Sequence, residues 1–150
     1  MLKFALSAVI LGLYTSAALA DATAVNAGEL KWGPAPPTLP KGAQAAVVSG
    51  DPGGKDLYVI RLRMPANYLI PAHNHPTAEY VTVLSGTLRI GMGDKLDRTK
   101  GVALGAGGFA AAPAGMNHYA WTTTATVIQV HGQGPLTMTY VNPADDPTKK

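Results

Sequence analysis

Glycine or proline interrupts the chain at intervals of about ten residues from Gly33 onward. The stretches between are short, apolar-alternating and rich in Val, Ile, Thr and Tyr. This punctuation constrains the fold more than any other feature, because short strands joined by turns build a sandwich or a barrel. The stretch from Asp56 to Met64 shows it best: Tyr58, Ile60, Leu62 and Met64 share one face, and Arg61 and Arg63 share the other. A period of two predicts a half-buried strand. The same reading predicts strands at about 44–49, 79–84, 87–92, 108–112, 118–122, 125–131 and 136–141. No window offers a long amphipathic helix, so the expected class is all-β.

Ser85-Gly86, flanked by Val81, Val83, Leu88 and Ile90, predicts a tight hairpin in which Gly86 takes a backbone angle other residues resist. The charged run from Asp94 to Lys100 is expected as a solvated loop. Gly33 to Pro40, with four prolines, should be extended, either as an arm or as the lead-in to the first strand.

The first twenty residues read as a separate unit. Lys3 precedes an uncharged apolar stretch, and Ala18-Leu19-Ala20 stands before Asp21, the pattern of a secretory leader cleaved after Ala20. The strongly apolar part, Phe4 to Tyr14, falls short of the roughly 20 residues a membrane span needs. With no Cys in the chain, neither a lipid-anchored N-terminus nor a disulfide is available, so a free periplasmic or secreted product is expected. The remaining 130 residues suit one domain with its own core. They divide into an N-terminal arm at 21–43, the β domain at 44–142 and a loose tail at 143–150. Without Lys3, eleven of the twelve Lys and Arg stand against nine Asp and Glu, scattered from Lys31 to Lys150. That distribution gives no support to nucleic acid or a membrane surface as a partner.

Two of the four histidines, His73 and His75, are one residue apart, and Glu79 follows four later. On a helix a two-residue step points imidazoles apart, whereas on an extended chain positions 73, 75 and 79 share a parity and can face one way. Imidazole nitrogen with carboxylate oxygen suits Mn, Fe, Co, Ni, Cu or Zn better than Ca or Mg. His118 follows Pro113-Ala114-Gly115, a turn able to deliver it from a neighbouring strand. An isolated His-x-His pair is weak evidence, since solvent-exposed histidines beside a proline such as Pro76 are common.

The pattern is longer than a pair. His73-Asn74-His75, Glu79 after three residues and Gly86 after six more resembles the first motif of the cupin superfamily. Gly107, then Pro113-Ala114-Gly115 and His118, resembles the second. The direct match covers about residues 67–118. The resemblance implies a double-stranded β-helix, the cupin jelly-roll barrel, with one divalent transition metal (Mn, Fe, Ni, Cu or Zn) held by His73, His75, Glu79 and His118 in the mouth. Asn67 stands where the first motif usually opens on glycine, and Asn tolerates the left-handed turn nearly as well. Thr122 stands where the second usually closes on asparagine, a change expected to touch strand packing at most.

Three imidazoles and a carboxylate leave an octahedral ion about two open positions. The expected partner is therefore a small chelating or anionic molecule, and the expected activity an oxygenase, with isomerase and lyase as neighbouring chemistries. The alternative is a periplasmic binding or sensing module without turnover. The metal-free sugar epimerases of the superfamily fit less well, because this chain keeps the full ligand set. Gln129 and His131 share a strand face and are either solvent-facing or pocket groups. Met116 is a further pocket candidate, Met64, Met92 and Met116 are expected to fill core gaps, and Tyr119 and Trp121 are expected to pack rather than to line the pocket. The resemblance also implies a homodimer formed by exchange of an N-terminal strand, for which the 33–40 arm is the available segment, although the sequence itself does not show one.

Overall fold

The computed structural model describes residues 24–150; the leader reading falls outside them. Eleven strands form two antiparallel sheets facing each other: β1 (Gly33–Pro34), β2 (Gln44–Ser49), β3 (Leu57–Met64), β4 (Leu69–Asn74), β5 (Glu79–Ser85), β6 (Leu88–Met92), β7 (Val102–Leu104), β8 (Phe109–Ala112), β9 (His118–Thr122), β10 (Thr126–Gln133) and β11 (Thr139–Tyr140). The first sheet runs β1-β2-β3-β10-β5-β8 and the second β11-β4-β9-β6-β7. This is the all-β jelly roll that the sequence predicts. Among the described residues no helix is long and apolar enough to cross a membrane.

The period-two strands fold as written. In β3, Tyr58, Ile60, Leu62 and Met64 are all buried, and β10 alternates in the same way, burying Thr126, Ile128, Val130 and Gly132. Cross-strand register stacks these into rows, Ile60–Val130–Val81 and Leu62–Ile128 with Val83 beside it. The second sheet answers with the row Ile70–Ala120–Ile90. Burial of these side chains is the main stabilising contribution. Tyr119 and Trp121, of opposite parity to His118, pack with Ala72 on the other face of the second sheet, as expected. The 94–100 loop covers them, Asp97 O accepting from Tyr119 Oη at 3.2 Å.

Several expectations change. The turn at Ser85-Gly86 is tight and Gly86 has φ +79°, but β5 and β6 belong to different sheets, so the turn is a crossover between layers rather than a hairpin. β4 was not among the predicted strands; Pro71 inside it weakens the pattern. A strand predicted at 136–141 shrinks to Thr139–Tyr140; Leu136, Thr137 and Met138 instead line the cavity, with Thr137 O beside His75 Nδ1. Met64 is core, whereas Met92 and Met116 are exposed. β1, within the proline-rich arm, pairs with β2 of its own chain, and Trp32 lies under the Arg63 guanidinium at 4.1 Å. The final residues form two 3-10 turns, Pro143–Asp145 and Pro147–Lys149.

Asn67 adopts φ +60°, as expected for the residue replacing a turn glycine. Thr122 does more than pack. Its hydroxyl accepts from Tyr68 N–H at 3.0 Å and donates to Pro65 O at 2.7 Å, bracketing the Asn67 turn that starts β4.

Candidate metal centre

The histidines reach one another through a register defect. Ile70 pairs with Ala120 and His73 with His118, so β4 spends three residues where β9 spends two. This bulge at Pro71-Ala72 lets both Ile70 and His73 face inward, and a bulge is where a strand tolerates proline. His75 lies just beyond β4, and the chain then turns at Pro76-Thr77. Glu79 therefore enters from β5, on the opposite sheet. Parity along one extended chain does not carry it there, as the sequence reading supposed; the crossover does. His118 opens β9 after the turn at Ala114-Gly115, which is tied to the site by Gly115 N–H donating to His75 O at 2.8 Å.

His73, His75 and His118 are all buried, and one ring nitrogen from each lies within 4.8 Å of the others. Glu79 abuts two of them: Oε1 is 3.5 Å from His75 Nε2 and Oε2 is 3.2 Å from His118 Nε2. All three Nδ1 atoms face backbone carbonyls: Pro71 O at 2.7 Å for His73, Thr137 O at 2.6 Å for His75 and Met116 O at 2.9 Å for His118. A carbonyl only accepts, so each Nδ1 carries the proton and each Nε2 presents a lone pair. Nε2 of His75 and of His118 are buried without a hydrogen-bond partner among the described residues, and with the proton on Nδ1 neither has one to give to the carboxylate beside it. Lone pairs converging on a carboxylate repel unless a cation or a proton sits between them. The donor set thus fits a divalent first-row metal, and the carbonyl contacts fix its tautomers as outer partners of metal-bound imidazoles do.

The electrostatics without an ion point the same way. Burial, with repulsion from His118, pushes the His73 pKa down to about 4. Burial pushes His118 down too, but neighbouring Glu79 outweighs it and raises the pKa above its ordinary value. Burial pushes the Glu79 carboxyl up, yet His118 first and then His75 and His73 hold it below the usual carboxylate range. The cluster stays ionised at Glu79 and calls for positive charge beside it.

A cavity of about 80 Å³ runs from these side chains into the barrel. Apart from the cluster its walls are apolar except for Thr38 and Thr137, and among the described residues neither Lys nor Arg lines it. Leu39 and Met138, both only partly buried, also line it. The Pro36–Leu39 stretch is clasped by Tyr140 Oη donating to Thr38 O at 2.7 Å and by Tyr68 Oη donating to Pro40 O. Asn74 Nδ2 donates to Asn117 Oδ1 and Asn117 Nδ2 to Asp94 Oδ1, both at 2.7 Å, bracing the strands that carry the imidazoles.

The remaining candidates lie elsewhere. Gln129 and His131 occupy the outer face of the first sheet. Gln129 Oε1 accepts from Arg61 Nε at 3.2 Å, and His131 stacks on Tyr80 with centroids 5.2 Å apart. Inward positions on β10 belong to Ile128 and Val130, so neither polar residue reaches the cavity. Met116 exposes its side chain and contributes only its carbonyl. The carbonyls of Pro71 and Thr137 escape sequence reasoning altogether, since a backbone oxygen leaves no mark in residue type.

No curated protein sequence matches the chain significantly. Among solved structures it is similar to a candidate acetylacetone dioxygenase from Methylibium petroleiphilum PM1, with TM-score 0.66, 18% identity and coverage of 86% of this chain and 87% of that one. It is equally similar to the polyketide cyclase RemF from Streptomyces resistomycificus, with TM-score 0.66, 17% identity and coverage of 86% and 92%. The DMSP lyase DddQ from Ruegeria pomeroyi DSS-3 aligns with TM-score 0.58, 21% identity and coverage of 75% and 61%. At such identities the likeness shows the fold alone. The Cupin domain family model matches residues 60–131, which run from within β3 to His131 in β10 and include all four clustered side chains. Jelly-roll topology, the two motifs and that match together show that the chain belongs to the cupin superfamily.

Proposed function

We propose that His73, His75, His118 and Glu79 hold one divalent transition metal, and that the protein is a metal-dependent enzyme, oxygenase-like, acting on a small and largely apolar substrate that chelates the ion through oxygen. The observation that carries this reading is the pair of buried, unpartnered Nε2 atoms at the end of an apolar cavity. When bound, such an ion supplies Lewis-acid polarisation of chelated oxygens, and redox capacity if it is iron.

The chain's own residues supply the rest. The three carbonyl-bound imidazoles fix the cluster in place. Glu79, held ionised, is available to accept a proton from an acidic carbon or hydroxyl of the substrate. The hydrophobic walls exclude water and give no counter-charge to a dianion, so a β-dicarbonyl or an enol suits the cavity better than an oxalate-like acid. The fold shared with a candidate acetylacetone dioxygenase supports this choice of chemistry. The leader-like residues 1–20 support action in the periplasm or outside the cell.

The test is oxygen uptake by protein reconstituted separately with Fe, Mn, Co, Ni, Cu and Zn, offered diketones, catechols and short carboxylic acids. Metal-dependent turnover lost in His118→Ala supports the reading; silence with every ion and substrate refutes it. A second reading, a non-catalytic binding module, is favoured because among the described residues no acid or base lines the cavity beyond the clustered ones. A ligand that raises the melting temperature and is recovered unchanged would establish it.

A further inference from the structure

We propose that the barrel interior beneath the imidazole cluster receives the apolar tail of the substrate, and that Ala120 sets the length of tail admitted. This rests on the metal-dependent reading above and specifies the substrate class: a chelating oxygen pair carrying a short, uncharged hydrocarbon tail.

His118 and Ala120 are two apart on β9 and share its inward face. Cross-strand register therefore places the row Ile70–Ala120–Ile90 directly beneath His73–His118. Across the barrel stand Ile60, Val81 and Val130. All six are buried and all line the cavity. Five are branched aliphatics, and the sixth, at the centre of its row, is a single methyl.

Cores are packed to crystal-like density, and a position flanked by two isoleucines ordinarily carries a side chain that fills its share. Alanine leaves the space open at the point where it adjoins the imidazoles. A void lined by hydrocarbon holds no hydrogen-bonding partners for water and takes apolar guests instead. Among the described residues, Thr38 and Thr137 are the only polar residues on the wall besides the clustered ones, so a charged or hydroxylated tail finds few partners.

The experiment uses the full chain loaded with Co, and a series of straight-chain alkyl hydroxamates as bidentate oxygen probes, read by the cobalt absorption spectrum and by calorimetry. Affinity is expected to rise about fourfold per added methylene until the void is filled, and then to stop rising. Ala120→Val is expected to move that limit to shorter tails while leaving metal content and acetohydroxamate affinity unchanged. Ala120→Gly moves it the other way and guards against a valine variant that fails to fold. Affinity independent of tail length, or a limit that shifts in Met138→Ala, a partly buried wall residue, but not in the Ala120 variants, overturns the inference and leaves the metal reading standing. Failure of the protein to bind Co at all overturns both.

Discussion

Replacing Thr122 by Val tests whether the closing residue of the second motif is a structural clasp. The swap keeps shape and removes only the hydroxyl. Tyr68 is buried, and its N–H at 3.0 Å from Thr122 Oγ1 loses its partner. A buried donor left unpaired costs about 1–3 kcal/mol. Pro65 is exposed, so its carbonyl, 2.7 Å from the hydroxyl, recovers water and adds little. The expected loss is therefore about 2 kcal/mol, or a fall in melting temperature of about 6–10 °C for a domain of this size. Urea unfolding of the metal-free protein measures it, with unchanged m-value, and Thr122→Ser should retain most of the stability because it keeps the hydroxyl. A Thr122→Val protein within about 0.5 kcal/mol of the parent, the range of an ordinary surface substitution, would refute the assignment of the clasp.

Three other outcomes follow from the structure. His73, with a pKa of about 4 against an ordinary 6.5, takes up its proton more readily unfolded than folded. Stability of the metal-free protein should thus be full above pH 6.5 and fall by about 3 kcal/mol as pH drops to 4; His118, shifted upward, contributes throughout that window and loses its contribution only at higher pH. Denaturant melts of parent and His73→Asn at pH 7 and 4.5 check this, and an equally steep fall in the variant would assign it elsewhere. Gly86→Ala should unfold the protein or cost more than about 3 kcal/mol, because a Cβ there meets Ala125 O at 2.3 Å on a backbone with φ +79°. Gly107→Ala, at φ +83° with open space around it, should cost only about 1–2 kcal/mol. Circular dichroism melts separate the two, and similar losses would remove the steric argument. His131→Ala, on the outer sheet face, should leave metal content and turnover as they are, by elemental analysis and oxygen uptake.

The sequence alone determined the class of fold and the identity of the clustered side chains. A period of two survives in β3 and β10 because each strand buries one face, and that pattern is written residue by residue. Motif spacing named His73, His75, Glu79 and His118 because side-chain chemistry is local. Tertiary structure alone decided how they meet. The bulge at Pro71-Ala72 turns His73 inward and the Gly86 crossover sends β6 to the other sheet, although neither a register shift nor a change of layer alters the alternation that a sequence displays. The outer placement of Gln129 and His131 was equally illegible, since either face of β10 fitted its composition until Ile128 and Val130 found partners across the barrel. The carbonyls of Pro71, Met116 and Thr137, which fix the proton on each imidazole, belong to the backbone, and only the folded path of the chain brings them within hydrogen-bond distance.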